Sequence, residues 1–384
     1  MINLPVITSN TELKGKKVLL RVGFSVPVRD GKIENDFRIR KALPTINWLR
    51  EQGAKIILVS HIWGDETTSL KIVHEYLEKM MEVKFSPDCV GENAIKIVEE
   101  MKDGDVVLLE NTRLHDGEVG NQEKFAEALA KLADIYVNDA FSVSHRFHAS
   151  IVGVPNFLPS YIGLQFKEEM DHLALSFSPP RPFLFVLGGA KFTTKIPLIR
   201  KFLEKADIVY VAGALVKPFL LEKGLTINQE HVPPNMGSVA DIADDPKLRF
   251  PSDVVCFNGE TSENIGLEKC EIEIGNIIDI GASSVEDLRE LVSESAFVLW
   301  NGPLGDYQKD FSEGTIGFAK ILIDSGVTSV VGGGDTMAVL ENEGLDYEHG
   351  FTFTSTAGGA MLQFLADETL VGIDAIIRSN KNRV

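Results

Sequence analysis

The sequence has few cysteines, no long apolar run and a deficit of basic residues. Its three cysteines among 384 residues, Cys89, Cys256 and Cys270, are too few and too scattered for a disulfide framework or a cysteine-based zinc site, so isolated thiols are expected. No segment reaches the roughly 18 uninterrupted apolar residues of a membrane-spanning helix. The N-terminal stretch has neither the basic flank nor the apolar run of a secretion signal, which predicts a cytoplasmic protein.

The acidic charge balance restricts the class of partner. The chain carries 56 Asp and Glu against 38 Lys and Arg, a formal net charge of −18. Nucleic acids are bound by basic surfaces, so this balance argues against them as partners. A small anionic ligand is still compatible with it, provided that cations gather in one cleft. The expected partners are therefore small-molecule substrates, with neither nucleic acid nor membrane.

Length and pattern predict two α/β domains. A chain of 384 residues exceeds the size at which one hydrophobic core stops growing. Short β-branched runs alternate with amphipathic helical patterns, which is typical of parallel sheets covered on both faces. The alternation restarts after a helix predicted from about Ser160 to about Ser176 and a proline-rich segment. We expect two doubly wound, Rossmann-like parallel-sheet lobes facing a cleft, over residues 1–160 and 181–370, with a linking helix or hinge over 161–180.

Cationic side chains follow several predicted strands of the first half, at the strand ends where open α/β sheets bind ligands. Each arginine alone could pair with a surface carboxylate, but together they predict an anion basin suited to phosphate and carboxylate groups. The strand-end cations, with one arginine at the start of a helix, are Arg21, Arg38, His61, Arg113, His145, Arg146 and His148.

Glycine-rich turns occupy the equivalent places in the second half. "GGAKFTTK" follows a predicted strand and opens a helix, so backbone N–H groups could meet phosphate oxygens while Lys191 and Lys195 add charge. "VVGGGDT" brings Asp335, a candidate ligand for a hard cation such as Mg²⁺. "TSTAGGA" supplies a third such turn. Each turn alone could be a helix cap, but the three together favour a nucleotide phosphate tail.

The ordered motifs resemble the phosphoglycerate kinase family along nearly the whole chain. They include "LLRVGFSVPV", "DFRIRKALPTI", "VLLENTRLHDGE", "YVNDAFSVSHRFHAS", "VLGGAKFTTKI", "VLWNGPLG" and "VVGGGDT". The resemblance implies a monomeric enzyme with two lobes and a hinge. It transfers a phosphoryl group between 1,3-bisphosphoglycerate and MgADP, giving 3-phosphoglycerate and MgATP. The N-terminal lobe would hold the glycerate, the C-terminal lobe the nucleotide, and residues 371–384 would pack back on the first lobe.

The resemblance also implies residue roles. Arg38 and Lys191 match the pair that stabilises the transferring phosphoryl group, and Asp335 matches the Mg²⁺ ligand. The acceptor-binding residues would be Arg21, Arg38, His61, Arg113 and Arg146. Contacts to ADP or ATP would come from Gly189, Lys191, Lys195, Gly213, Asn301, Pro303, Gln308, Gly334, Asp335 and Thr336.

The chain departs from the family pattern at positions that contact the acceptor and at positions that contact the nucleotide. Gly23, Ser25 and Gly64 stand where the family usually has an aspartate, an asparagine and an arginine that contact the acceptor. On the nucleotide side the departures are Thr194, Gln308 and Ala357. The residues of phosphoryl transfer are better preserved than those of acceptor recognition. Two alternatives therefore stay open: a related phosphotransferase with a different acidic acceptor, and a non-catalytic nucleotide-binding paralogue.

Overall fold

The structure, a computed structural model, describes residues 4–8, 11–62, 69–225, 237–257, 259–267 and 276–381. The chain divides into two compact units: Met1–Asp171 with Asp367–Val384, and His172–Ala366. Among the described residues, no helix is both long enough and apolar enough to cross a membrane.

The first unit is built on a six-stranded parallel sheet. Its strands are β1 (Lys17–Arg21), β4 (Lys55–Val59), β5 (Lys84–Ser86), β6 (Val106–Leu109), β7 (Ile135–Asn138) and β8 (Ser160–Ile162). They lie in the order β5-β6-β4-β1-β7-β8. A small hairpin, β2 (Val28–Arg29) with β3 (Lys32–Ile33), follows β1. This strand order confirms the predicted doubly wound class, because later strands lie on both sides of β1.

Helices cover both faces of this sheet. They are α1 (Phe37–Glu51), α2 (Lys71–Leu77), α3 (Glu92–Glu99), α4 (Asp116–Val119), α5 (Glu123–Ala130) and α6 (Leu164–Ala174). Successive side chains of a strand point to opposite faces. Accordingly Leu20 packs with Ile39 in one apolar cluster, while Leu19 packs with Leu129 in another. The central strands are buried on both faces, which explains their continuous apolar sequences.

The second unit repeats this architecture. Its parallel strands are β9 (Phe183–Leu187), β10 (Ile208–Val211), β11 (Leu248–Arg249), β15 (Phe297–Asn301), β16 (Thr328–Gly332) and β17 (Phe353–Thr354). They lie in the order β11-β10-β9-β15-β16-β17. The helices are α7 (Phe192–Lys205), α8 (Lys217–Glu222), α9 (Ala282–Ser293), α10 (Glu313–Ser325), α11 (Gly334–Asn342) and α12 (Gly359–Asp367).

An additional antiparallel sheet in the second unit was not expected from the sequence. It comprises β12 (Asp253–Phe257), β13 (Ser262–Gly266) and β14 (Asn276–Ile280), in the order β13-β12-β14. The sequence of β13, "SENIG", is polar and mostly exposed. Such a segment lacks the apolar alternation by which a strand is recognised, so its pairing with β12 determines its conformation.

The predicted connecting helix begins later than expected. Residues Ser160–Ile162 form β8 instead, and α6 starts only at Leu164. The strand forms because these residues pair with β7, with Ser160 opposite Tyr136. The helix then starts against Asp139, whose Oδ1 accepts the Phe166 N–H at 3.0 Å. Pairing with β7 therefore overrides the helical sequence pattern of residues 160–162.

A last helix, α13 (Val371–Lys381), belongs to the first unit although it follows the second in sequence. Ser379 Oγ donates to the Leu158 carbonyl at 2.9 Å, and Asn380 Nδ2 donates to the Ser160 carbonyl at 2.7 Å. Ala375 packs in an apolar cluster with Ile151 and Val152. These contacts attach the end of the described chain to the edge of the first sheet that carries β8.

Asp139 is expected to make stability depend on pH. Its carboxyl is buried, its Oδ2 has no hydrogen-bond partner, and burial raises its pKa from 3.8 to about 6. The fold thus binds this proton more tightly than the unfolded chain. The stabilising contribution is complete below about pH 4 and lost as the pH rises through about 6. The effect is at most about 3 kcal/mol, because each pKa unit corresponds to about 1.4 kcal/mol.

Asp139→Asn removes this titration and keeps the oxygen that accepts from Phe166. The melting temperature of the variant relative to wild type should therefore be more favourable at pH 8 than at pH 4. Asp171→Asn, an exposed position on α6, is the matched control. A constant difference between wild type and Asp139→Asn across this pH range would contradict the assignment.

Candidate functional site

Six cationic or imidazole side chains of the first unit follow the carboxyl ends of its strands or begin α1. We call them the cation cluster: Arg21, Arg38, His61, Arg113, Arg146 and His148. All of the other members except Arg146 lie close enough to His61 to lower its pKa. It is lowered well below 6.5 by burial and then by the charges of Arg21, Arg113 and Arg38. The structure therefore brings the predicted anion-binding residues to one edge of one sheet.

Arg21 is the most buried member of the cluster, with 1% of its surface exposed. Nε donates to Ser150 Oγ at 3.0 Å, Nη1 donates to the Val22 carbonyl, and Nη2 lies 2.7 Å from His61 Nδ1. A guanidinium can only donate, so Nδ1 of His61 accepts and the neutral ring carries its proton on Nε2. Arg21 thus sets the tautomer of His61 and places a buried positive charge behind it.

Sequence reasoning missed the anion that balances this charge. Glu118 is fully buried, and its carboxylate accepts from the Ser150 N–H at 2.9 Å and from Ser150 Oγ at 2.6 Å. Ser150 in turn accepts from Arg21. Burial lowers the pKa of Arg21, and the charge of Glu118 acts in the opposite direction. In "LHDGEVGNQEK", Glu118 resembles any exposed acidic residue, and no spacing in that stretch indicates its burial.

The remaining arginines of the cluster are more accessible. Arg38 begins α1 with its Nη1 donating to the Ser25 carbonyl at 2.5 Å. Arg113 is partly buried and Arg146 is exposed. Burial and, to a smaller extent, the charge of Arg146 lower the pKa of Arg113. Like charges held this close favour an anionic ligand between them. Gly64, predicted to replace a further arginine, lies outside the described residues.

Glycines of the second unit converge in the same topological place. The strand ends Val211, Leu187, Asn301 and Gly332 are neighbours in the parallel register of β10, β9, β15 and β16. The residues that follow them, which we call the glycine edge, are Gly188, Gly189, Gly213, Gly302, Gly333 and Gly334. A sheet edge without side chains leaves room for a ligand to approach the backbone.

Two of these glycines show how closely the turns approach one another. Gly213 has φ +62°, and a Cβ there would lie 2.9 Å from the Gly189 nitrogen. Gly302 has φ +92°, and its Cβ would lie 2.5 Å from both the Gly188 carbonyl oxygen and Lys195 Nζ. Any side chain would therefore collide with backbone or with the lysine. The glycine edge is a cradle that tolerates no Cβ at these positions.

Lys195 provides the buried charge of this edge. It is 5% exposed, and its Nζ donates to the Gly188 carbonyl at 2.5 Å. Burial and, to a smaller extent, the charge of the nearby Lys191 lower its pKa to about 8, while Asp335 acts in the opposite direction. Asn301 is buried beside it at the end of β15, and Thr336 Oγ1 accepts the Gly302 N–H at 3.1 Å. Pro303 contacts the same turns through its carbonyl oxygen.

Asp335 lies in the first turn of α11 with the properties of a magnesium ligand. Its side chain is half exposed, Tyr307 Oη donates to its Oδ1 at 3.1 Å, and Lys191 Nζ lies 3.9 Å from its Oδ2. Mg²⁺ in phosphate sites is commonly held by one or two protein carboxylates together with substrate phosphates. A single accessible carboxylate beside the glycine edge fits that use. Gln308 bonds Tyr307, which places it in the same neighbourhood.

A second group of potential metal ligands lies in the first unit. Asp88, Cys89 and His115 bring their ligand atoms within 4.8 Å of one another. Asp88 Oδ1, however, already accepts from the Cys89 N–H at 2.7 Å and is 2.9 Å from His115 Nε2. Cys89 is fully buried, and burial raises the pKa of its thiol. Asp88 is thus already hydrogen-bonded to the other two residues of this group. Cys256 is also a buried free thiol, and Cys270 lies outside the described residues.

The geometry defines a class of protein: two Rossmann-like parallel-sheet units, one with a cation cluster and the other with a glycine edge beside a lysine and a carboxylate. Comparison with known proteins is consistent with that class. A family model described as phosphoglycerate kinase matches residues 8–368. The chain belongs to the phosphoglycerate kinase family.

Curated relatives cover almost the whole chain. The phosphoglycerate kinase of Wolbachia sp. subsp. Drosophila simulans (strain wRi) is 40% identical, covering 97% of this chain and 98% of the relative. That of Aquifex aeolicus (strain VF5) is 39% identical, covering 94% and 95%. The solved phosphoglycerate kinase from Pyrococcus horikoshii OT3 matches with a TM-score of 0.86 and 31% identity over 98% of this chain and 99% of that one. The one from Coxiella burnetii gives 0.81 and 30%, over 97% and 99%.

Glu118→Gln should destabilise the fold. The amide has the same shape, but it leaves the buried Arg21 charge uncompensated and turns a donor toward the Ser150 N–H and hydroxyl. Breaking a buried charge pair typically costs about 3–5 kcal/mol, and a loss of at least about 2 kcal/mol is expected in urea unfolding at pH 7. Glu123→Gln, an exposed position of α5, is the control. Equal midpoints for the two variants would contradict the proposed compensation.

Proposed function

We propose that this protein transfers a phosphoryl group between 1,3-bisphosphoglycerate and ADP, giving 3-phosphoglycerate and ATP. The observation that carries the proposal is the set formed by Lys191, Lys195 and Asp335 beside the glycine edge, in a chain that belongs to the phosphoglycerate kinase family. A protein that only bound a nucleotide would have no need of so exposed a lysine as Lys191 beside the metal-ligand candidate.

Charge stabilisation accounts for the proposed chemistry. Phosphoryl transfer passes through a loose transition state with charge spread over the equatorial oxygens, so positioning and electrostatics supply most of the catalysis. Arg38 and Lys191 are the proposed catalytic cations. Arg38 is held in place through the Ser25 carbonyl, and Lys191 precedes the first turn of α7, where the helix dipole adds positive potential. No covalent nucleophile is required.

The cation cluster would bind the acceptor. Arg113 and Arg146 are accessible and can take the carboxylate or phosphate of 3-phosphoglycerate through bidentate hydrogen bonds. His61, neutral and with its Nε2 proton available, would donate a hydrogen bond without adding charge. Arg21 is fully engaged inside the fold and acts through its charge and through His61.

The glycine edge would bind ADP or ATP. Backbone N–H groups of Gly189 and Gly334, and the buried charge of Lys195, suit phosphate oxygens. The other proposed contacts come from Gly213, Asn301, Pro303, Gln308 and Thr336. Mg²⁺ held by Asp335 would neutralise charge on the bound phosphates. We further propose a monomer in the cytoplasm, with small molecules as its partners and neither nucleic acid nor membrane.

A different acidic acceptor is the second candidate function. Gly23 and Ser25, which are half-buried next to the end of β1, replace side chains by which the family usually contacts the glycerate. The phosphoryl-transfer residues are common to both candidates. Only the acceptor distinguishes them, so activity with 3-phosphoglycerate decides between them.

A coupled assay with 3-phosphoglycerate and MgATP should show turnover that Lys191→Ala abolishes. Removing a donor that acts mainly in the transition state typically costs about 10²-fold or more in kcat. Affinity for ADP should change only a few fold, because Lys191 is exposed before the phosphoryl group moves. Lys320→Ala on the exposed face of α10 is the control. Wild type without turnover would reject the function, and Lys191→Ala with more than about a tenth of wild-type kcat would reject the role.

Binding of ADP should weaken above pH 8 because of Lys195. Its pKa of about 8 means that its charge is lost as the pH rises through that value, so Lys195 must then take up a proton when a phosphate binds. The affinity should fall by up to about tenfold per pH unit above 8. Lys195→Met, a neutral side chain of similar length, should bind weakly at every pH and show no such slope.

Calorimetry in buffers of different ionisation enthalpy measures this proton uptake directly. Lys320→Met should behave as wild type, since that lysine lies on the exposed face of α10. An unchanged slope in Lys195→Met would assign the pH dependence to another group.

A further inference from the structure

Gly23 and Ser142 share one space at the edge of the first sheet. β1 and β7 are parallel neighbours with Arg21 opposite Asn138, so the residues that follow each strand emerge side by side. A Cβ built on Gly23 would lie 3.2 Å from Ser142 Oγ. This separation is tighter than ordinary van der Waals contact. A side chain at position 23 and the hydroxyl at position 142 therefore compete for the same volume.

Backbone hydrogen bonds fix the turn that contains Ser142. The turn Phe141–Val143 follows β7, the Ser144 N–H donates to the Phe141 carbonyl at 3.0 Å, and the Arg146 N–H donates to the Val143 carbonyl at 2.9 Å. The same short segment thus carries Ser142 and the exposed Arg146 of the cation cluster. The position of the hydroxyl follows from the turn that places this arginine.

The hydroxyl of Ser142 differs from the buried serine two residues later. Ser144 Oγ accepts from Asn138 Nδ2 at 3.0 Å and donates to the Ala140 carbonyl at 3.0 Å. Within the described part of the chain, the structure gives the half-buried Ser142 hydroxyl no hydrogen bond. It therefore retains both a donor and an acceptor for a ligand.

We propose that Ser142 determines acceptor specificity, because its hydroxyl occupies the space of the side chain absent at Gly23. This inference rests on the proposed function. A carboxylate at position 23 can only accept hydrogen bonds and adds negative charge, whereas a hydroxyl is neutral and can also donate. With the Ser142 hydroxyl in place of a carboxylate at position 23, a polar group still faces the acceptor, and the cation cluster has one fewer negative neighbour. The hydroxyl contacts the glycerate end of 3-phosphoglycerate.

Ser142→Ala tests the contact directly. The KM for 3-phosphoglycerate should rise about tenfold, the usual effect of losing one hydrogen bond to a charged ligand. The KM for MgATP and the melting temperature should remain as in wild type. Ser293→Ala, which removes a hydroxyl bonded within α9, should leave all three unchanged.

The competition for space is tested by a mutant cycle. Gly23→Asp alone should raise the KM for 3-phosphoglycerate, because the new side chain crowds Ser142. In the Ser142→Gly background the same substitution should lower the KM to the wild-type value or below it. Gly23→Ala in both backgrounds separates crowding from charge, since alanine adds only the Cβ. The two positions should therefore be strongly non-additive.

The outcomes separate this inference from the proposed function. Turnover of 3-phosphoglycerate by wild type, with an unchanged KM in Ser142→Ala or additive effects in the cycle, overturns the role of Ser142 and leaves the function standing. Wild type without turnover overturns the function itself. In that event the melting temperatures of Gly23→Ala in the two backgrounds still test whether the positions share one space. Additive shifts overturn the shared space. A smaller loss of melting temperature in the Ser142→Gly background supports it.

Discussion

The burial of a positive charge at the end of β1 is the constraint on which the first unit depends. Arg21 is almost completely removed from water, and an uncompensated buried charge costs several kcal/mol. The structure meets this cost with a hydrogen bond from each of the three guanidinium nitrogens and with the buried carboxylate of Glu118. The same arrangement selects the tautomer of His61. A feature required for folding thereby prepares a neutral donor at the place where the other cations converge.

The second unit also buries a positive charge, and there backbone groups surround the charge in place of side chains. Lys195 is buried against the Gly188 carbonyl, and burial together with the charge of Lys191 lowers its pKa to about 8. The glycine edge keeps its turns close enough to surround the lysine, at the cost of excluding every Cβ from Gly302 and Gly213. A charge so poorly compensated favours an anionic ligand. This lysine is the counterpart of Arg21, and in the proposed function a bound phosphate compensates its charge.

Both parallel sheets could be predicted because continuous apolar strands between amphipathic helices leave few alternatives. The strand ends then indicated Arg21 and His61, and the glycine-rich turns that follow strands indicated Lys195 and Asp335. What could not be predicted depends on contacts between distant residues. Glu118 lies 32 residues from its partner Ser150, and β13 has no strand-like pattern of its own. Gly23 and Ser142 share one space only because β1 and β7 are neighbours. Local pattern carries no information about such pairs.

The hydrogen bond of Arg38 would allow the proposed acceptor site to differ while the proposed transfer residues stay in place. Its guanidinium donates to the backbone carbonyl of Ser25, and a carbonyl is present whatever side chain that position carries. Arg146 is likewise fixed by backbone hydrogen bonds of its turn. These hydrogen bonds do not depend on the side chains at positions 23, 25 and 142. We therefore expect substitutions at these positions to alter which acceptor is held and how tightly, and to leave the position of Arg38 unchanged.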